Sequence, residues 1–140
     1  NGLRKIEKIF LRNNKIGKKI QKTILQNLPQ LNEIILENNE IVELDDDAFL
    51  GTHKLRILDL SNNKIEVIRE NWFNGLKLLI KIDLKSNLIR YIDKYSFKDL
   101  SSLEETLTIN NQKLTYLIPY SFSGLRILKT LQCSKNTLSK

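Results

Sequence analysis

Cysteine and histidine occur once each in these 140 residues, as Cys133 and His53. A single thiol cannot close a disulfide within the chain, and it leaves the redox compartment undecided. A lone histidine with no cysteine or histidine beside it makes a poor start to a zinc set, so no metal and no cofactor is expected. No apolar run approaches the roughly 20 residues that a membrane helix needs. The opening residues, NGLRKIEKIF, lack the apolar stretch of a secretion signal. This segment is therefore not expected to be embedded in a membrane. No Asn-x-Ser/Thr sequon is present, which withholds one sign of an extracellular setting.

Charge of one sign is missing too. The formal +7 conceals a sharp alternation along the chain. Residues 1–30 hold eight Lys or Arg against Glu7 alone, while residues 31–54 hold seven acids against Lys54. A nucleic-acid binder calls for a continuous basic stripe. Here an acidic stretch interrupts it, so nucleic acid is not expected as a partner. The plainer reading of the alternation is weak attraction between neighbouring solvated faces.

What the chain has in abundance is one phrase. LRILDLSNNKI stands at 55–65, LNEIILENNEI at 31–41 and LIKIDLKSNLI at 79–89, with starts twenty-four residues apart. IEKIFLRNNKI at 6–16, LEETLTINNQKL within 103–114 and LKTLQCSKNTL at 128–138 are further copies, the strand phrase of the fifth running over 104–114. A fixed period in this range marks a solenoid, in which each coil contacts only its neighbours. Within each phrase two apolar slots alternate and so point to one side of a short strand. They are Ile9 and Leu11, Ile34 and Leu36, Leu58 and Leu60, Ile82 and Leu84, Leu107 and Ile109, Leu131 and Cys133. Cys133 thus reads as a small core residue. The strands are expected to stack in parallel, with a return path behind them.

Asn14, Asn39, Asn63, Asn87 and Asn136, with Gln112, recur at one slot and are expected to form an internal ladder. An amide both donates and accepts, so it can satisfy backbone groups of a turn that has no other partner. Beyond the strand phrase, Phe49, Phe73, Phe97 and Phe122 share a slot that fills the wedge between coils. Gly51, Gly75 and Gly124 follow two residues later, with Asp99 in that place in the fourth coil. In the first coil, Ile16, Ile20, Ile24 or Leu25, and Leu28 predict a helical turn or two ended by Pro29.

The pattern L-x-x-L-x-L-x-x-N-x-L resembles the leucine-rich repeat over the whole chain, and I/L-x-x-x-x-F-x-G-L resembles its typical, 24-residue class. The resemblance implies an α/β solenoid: a curved horseshoe segment with a short parallel concave sheet and a mostly irregular or 3₁₀ convex side. Residues 1–140 would form one array. Asn1-Gly2-Leu3 matches Asn74-Gly75-Leu76 late in a coil, which predicts a segment of a longer array without caps. Toll-like receptors, Slit-type guidance proteins and arthropod leucine-rich immune proteins share this class. It implies a non-catalytic recognition module in an extracellular receptor or a secreted immune or adhesion protein. The rival is an intracellular scaffold or regulatory subunit.

The outward faces of the strands are left over for function, since the core does not need them. The expected binding residues are Phe10, Arg12, Glu33, Ile35, Glu37, Ile57, Asp59, Lys81, Asp83 and Lys85. Phe10, Ile35 and Ile57 read as an apolar cluster with a charged rim: a protein-binding hot spot, scattered surface hydrophobes, or a contact for a preceding coil. Asp59 beside Asp83 could suggest acid–base chemistry, but Lys81 and Lys85 flank the pair and no nucleophile is implied. A protein ligand is the expected partner, with a glycan, a lipid or a second copy of the chain as weaker alternatives. The extra residue between Leu103 and Leu107 reads as a bulge near a site or as tolerated drift.

Overall fold

The computed structural model describes residues 2–110 and 112–139. Six three-residue strands, one per phrase, form a single parallel sheet. They are β1 (Lys8–Phe10), β3 (Glu33–Ile35), β5 (Ile57–Asp59), β7 (Lys81–Asp83), β9 (Thr106–Thr108) and β10 (Thr130–Gln132), and they pair in that order. Between them lie β2 (Lys19–Ile20), α1 (Lys22–Leu25), β4 (Glu43–Leu44), β6 (Val67–Ile68) and β8 (Tyr91–Ile92), which belong to the return path. The short strands of the return path pair as β2–β4 and β6–β8.

Burial follows the period of two. In β3, β5, β7 and β9 the middle residue is buried while its neighbours are not, and that residue is Ile34, Leu58, Ile82 or Leu107. The register places Ile9, Ile34, Leu58, Ile82, Leu107 and Leu131 in one line across the sheet. Behind that line the phenylalanines stack as expected. Ring centroids are 6.3 Å apart for Phe49–Phe73, 6.0 Å for Phe73–Phe97 and 5.9 Å for Phe97–Phe122. Leu131 at 41% exposure and Leu11 at 37% lie in the outermost coils, which have a neighbour on one side only.

Beyond these short strands the convex side continues in single turns closed by i→i+3 bonds, such as Ala48 N–H to Asp45 and Leu50 N–H to Asp47. No continuous 3₁₀ helix occurs among the described residues. The helical reading of the first coil is half right. One turn, α1, forms over Lys22–Leu25, but Gln26 is already extended and Asn27 is left-handed (φ 65°) before Pro29 is reached. Four residues with no side-chain cap at Gln21 and no acid in the first turn cannot propagate. Pro29 acts instead by holding Leu28 away from the helical region. Of the helix, Leu25 is buried and Ile24 is 56% exposed.

The amide ladder is present and bonded in a repeating way. The Asn63 oxygen accepts from Asn39 N–H (2.9 Å) and Ile41 N–H (3.0 Å), and its nitrogen donates to the Leu36, Leu60 and Ser61 carbonyls. Asn87 bridges Ile65 N–H to the Leu60 and Leu84 carbonyls. Gln112 takes the same place, accepting from Ile89 N–H and donating to Leu84 O. Asn136 closes the series on Leu114 N–H, Ile109 O and Cys133 O. Asn39 donates three bonds but its oxygen has no partner, so the accepting half of the ladder begins at the second junction. Asn14 is exposed and bonds only within its own turn.

The residue before Asn14, Asn39, Asn63, Asn87 and Asn136 has a role that the repeat pattern does not announce. Asn13, Asn38, Asn62, Ser86 and Lys135 all have φ between 54° and 58°. This is the left-handed region, where asparagine is tolerated because its side chain bonds locally. In Asn38-Asn39 and Asn62-Asn63 the first residue turns the chain and the second stitches the coils.

Replacing Asn63 by Ala orphans the buried N–H groups of Asn39 and Ile41 and takes one of two donors from each of the Leu36, Leu60 and Ser61 carbonyls. It should therefore lower unfolding free energy by about 1–3 kcal/mol in urea denaturation. Asn14→Ala should change it by no more than about 0.5 kcal/mol, the ordinary limit for surface substitutions. Gly124→Ala should destabilise by more than about 1 kcal/mol. Its φ is +100°, and a Cβ there would sit 2.5 Å from the Lys98 backbone.

Candidate functional site

The register that buries one line of side chains sets two parallel lines on the open face. One runs Lys8, Glu33, Ile57, Lys81, and the other runs Phe10, Ile35, Asp59, Asp83, Thr108, Gln132. All ten expected binding residues lie in or beside β1, β3, β5 and β7. Phe10 is 63% exposed and stands opposite Ile35, while Ile57 stands opposite Glu33 and so lies diagonal to Ile35. Lys8 and Glu33 pair at 2.9 Å on one side of the Phe10–Ile35 strip. Arg12 and Glu37 pair on the other. The bond to Glu33 raises the Lys8 ammonium above its ordinary pKa. These cross-strand pairs satisfy the rim charges among themselves and leave the apolar strip open between them.

Further along, Asp59 and Asp83 are register partners, as the sequence implied. Each uses one oxygen to accept from the backbone two residues on. Asp59 takes Ser61 N–H at 2.9 Å and Ser61 hydroxyl at 2.6 Å, and Asp83 takes Lys85 N–H at 2.9 Å. These are strand-ending caps of the Asx kind. Burial raises the Asp83 carboxyl above its ordinary 3.8; the bond from Lys85 N–H works against that, and the charge of Asp59 adds to it. Lys81 and Lys85 both lower it. The arrangement holds two carboxylates at the sheet surface, with the Ser61 hydroxyl engaged as a donor in the Asp59 cap.

Where the fifth coil carries its extra residue, the sheet changes. Lys129 N–H and Thr130 N–H bond to Glu104 O and Glu105 O separately, whereas Arg56 and Ile57 N–H share Asn32 O, and Ile80 and Lys81 N–H share Arg56 O. The chain bends at Glu105, and β9 pairs with β7 only through Ile82↔Leu107 and Asp83↔Thr108. A groove of about 580 Å³ opens beside this pairing, lined by Ile57, Ile80, Lys81, Asp83, Glu105 and Thr108 among others. Lys129 reaches over to Glu104 (2.8 Å) and Glu105 (3.0 Å). Ile80 and Glu105 were not among the expected binding residues. The break in the period was the signal that could have found them.

The acidic turn after β4 and the lone cysteine lie away from the sheet's open face. Asp45 pairs with Lys19 at 2.8 Å and accepts from Lys22 N–H, which together hold its carboxyl below the usual range. Asp47 is left-handed and accepts from the Asn74 amide at 2.8 Å. Cys133 packs against the core without being fully buried, and burial pushes its thiol up. Among the described residues no helix is long and apolar enough to cross a membrane.

A sequence model for the leucine rich repeat matches residues 4–65 and 53–105. No curated protein matches the chain. Among solved structures, TLR13 in the crystal structure of the TLR13–ssRNA13 complex matches with TM-score 0.77 and 26% identity, over 96% of this chain and 22% of that one. An internalin (inlF) from Listeria monocytogenes str. 4b F2365 matches with TM-score 0.64 and 26% identity, over 85% of this chain and 33% of its own. The chain therefore spans a third or less of the length of these solved proteins.

The raised Asp83 carboxyl has a defined effect on stability. The folded state holds this proton more tightly than the unfolded chain does, so the group's contribution falls as pH rises through that window. Asp83→Asn keeps an acceptor for Lys85 N–H and removes the charge. It should melt higher than the parent protein at pH 7, and the gain should vanish below about pH 3, where the aspartates of both states are largely protonated. A variant that melts lower at pH 7 would mean that the charge is held favourably.

Proposed function

The chain belongs to the leucine-rich repeat family, and we propose that this segment is a non-catalytic recognition module that binds a protein through its concave face. The observation that carries the reading is the uncovered Phe10–Ile35 strip between the Lys8–Glu33 and Arg12–Glu37 pairs. Parallel sheets are ordinarily covered on both faces. An exposed aromatic anchor beside a β-branched residue, enclosed by charges that are already paired, has the composition of an interface hot spot with a polar rim. Ile57, Asp59, Lys81, Asp83 and Lys85 extend the contact along the stack. The mixed signs along that path suit a protein surface better than a phosphate chain, which favours uninterrupted cations.

The setting we propose is extracellular, as part of a receptor or of a secreted immune or adhesion protein. The 24-residue pattern supports it, as does the likeness to TLR13 and to the internalin. An intracellular scaffold is the rival, and the compartment of the partner decides between them. The TLR13 match was solved with ssRNA, so single-stranded RNA belongs in the same assay as a competitor.

The test is selection of binders from displayed libraries of extracellular and cytosolic domains, repeated with Phe10→Asp combined with Ile35→Thr. Threonine keeps the β-branched shape and avoids placing a third carboxylate beside Asp59 and Asp83. Affinity should fall by at least ~30-fold, the loss of one hot-spot residue, with the melting temperature nearly unchanged. Binding that survives the double substitution would remove the strip from the site. Light scattering across concentration on the same two proteins identifies the case in which the partner is a second copy.

A further inference from the structure

All four tyrosines of the chain, Tyr91, Tyr95, Tyr116 and Tyr120, stand on the return path of the fourth and fifth coils. They meet in two pairs. Tyr91 and Tyr116 are edge to face with centroids 6.3 Å apart, and Tyr95 and Tyr120 are stacked at 5.8 Å. Tyr116 is 53% exposed and Tyr120 62%. The fold does not ask for aromatics there. The slot of Tyr91 is Val67 one coil earlier, and its counterparts in the first two coils are Lys19 and Glu43, joined by an ion pair. The slot of Tyr95 and Tyr120, whose backbones bond to each other, is held earlier by Asp47 and Asn71, bonded in the same way.

The backbone argues the same point. Tyr95 (φ 58°) and Tyr120 (φ 67°) are left-handed, where a bulky side chain is disfavoured and Asp or Asn is tolerated. Two positions that structure alone would give to asparagine carry exposed rings instead. Strain of this kind gathers where a surface is used.

The electrostatics around the rings select the occupant. A slot of about 540 Å³ is lined by Val67, Arg90, Tyr91, Lys113, Thr115 and Tyr116, with no carboxylate in its wall. Arg90 is shared with Glu66 at 3.1 Å, and among the described residues no ion pair engages Lys113 or Lys94. From Thr106 to the end of the chain there is no acidic residue at all. We infer that this aromatic slot is a second docking surface, on the opposite side of the sheet from the concave face, for a protein segment that presents an apolar side chain flanked by carboxylates. The apolar group enters between Val67, Tyr91 and Tyr116, and the carboxylates meet Lys113, Arg90 and the tyrosine hydroxyls. A single-stranded nucleic acid suits it less well, because Glu66 and Asp93 interrupt the cations.

The test uses a phage-displayed random peptide library selected on the chain, with counter-selection on the Lys113→Glu, Tyr116→Ala double variant. Enriched peptides should carry acids on both sides of an aromatic or aliphatic residue. They should bind each single variant roughly tenfold more weakly than the parent protein, and bind Phe10→Asp unchanged. Both substituted side chains are exposed, so thermal unfolding should not move; if Tyr116→Ala unfolds the chain, Lys113→Glu decides alone. No discriminating enrichment, a basic consensus, or loss on Phe10→Asp overturns the proposal. So does oligo(dT) that binds the parent protein and is lost in the same two variants, since the occupant would then be a nucleic-acid strand.

Discussion

A coil of twenty-four residues turns too tightly for its backbone to satisfy its own hydrogen bonds, and too few of its residues are apolar to bury the bends. The chain meets that constraint with one side-chain amide per turn. Asn63 supplies two acceptor contacts and three donor contacts in a space closed to water, joining backbone groups of its own coil and the preceding one. Asn87, Gln112 and Asn136 repeat the arrangement, which is how the coils come to be stacked at a fixed separation. The parallel register, the phenylalanine stack and the placing of every surface residue follow from that separation. Gln112 shows how far the constraint is chemical rather than literal, since a longer amide serves after an inserted residue.

Once amides and the Ile/Leu line hold the inside, the outward strand positions are not needed by the core, although Asp59 and Asp83 cap their own strands. That freedom explains why one row can run from Phe10 through Ile35, Asp59 and Asp83 to Thr108 without disturbing the sheet. Charges on this face are mostly settled locally, Lys8 with Glu33 and Arg12 with Glu37. Such exposed pairs contribute little to stability. Under the proposed function their effect is on recognition, because a partner would meet a rim that is already neutralised around an apolar centre.

The two surfaces differ in how they arise. The concave strip lies where the period leaves the choice of residue free. The tyrosine slot lies on the return path, where earlier coils keep ion pairs and Asp or Asn turns, and it departs from what the backbone prefers. A solenoid that uses both could hold two partners at once, since the sheet and core lie between them.

The twenty-four-residue period, the alternating slots and the recurring Asn were enough by themselves to determine the fold, the ladder and the sheet register, because each coil repeats one local solution and contacts only its neighbours. Phe10 opposite Ile35 and Asp59 opposite Asp83 were legible for the same reason. Tertiary structure alone decided the rest. The apolar spacing of the first coil suggested a helical turn or two ended by Pro29, and the turn at Lys22–Leu25 stops earlier, at Gln26, in an uncapped segment that follows the strand-like pairing of Lys19–Ile20 with Glu43–Leu44. The groove beside Glu105 follows from the pairing of β9 with β7, which spans two residues where the other neighbouring strands of the sheet pair over three. The tyrosine pairs join residues twenty-five apart whose side chains meet only when two coils stack. Periodicity reports what every coil shares; these features are differences between adjacent coils, and they acquire meaning only when the coils are in contact.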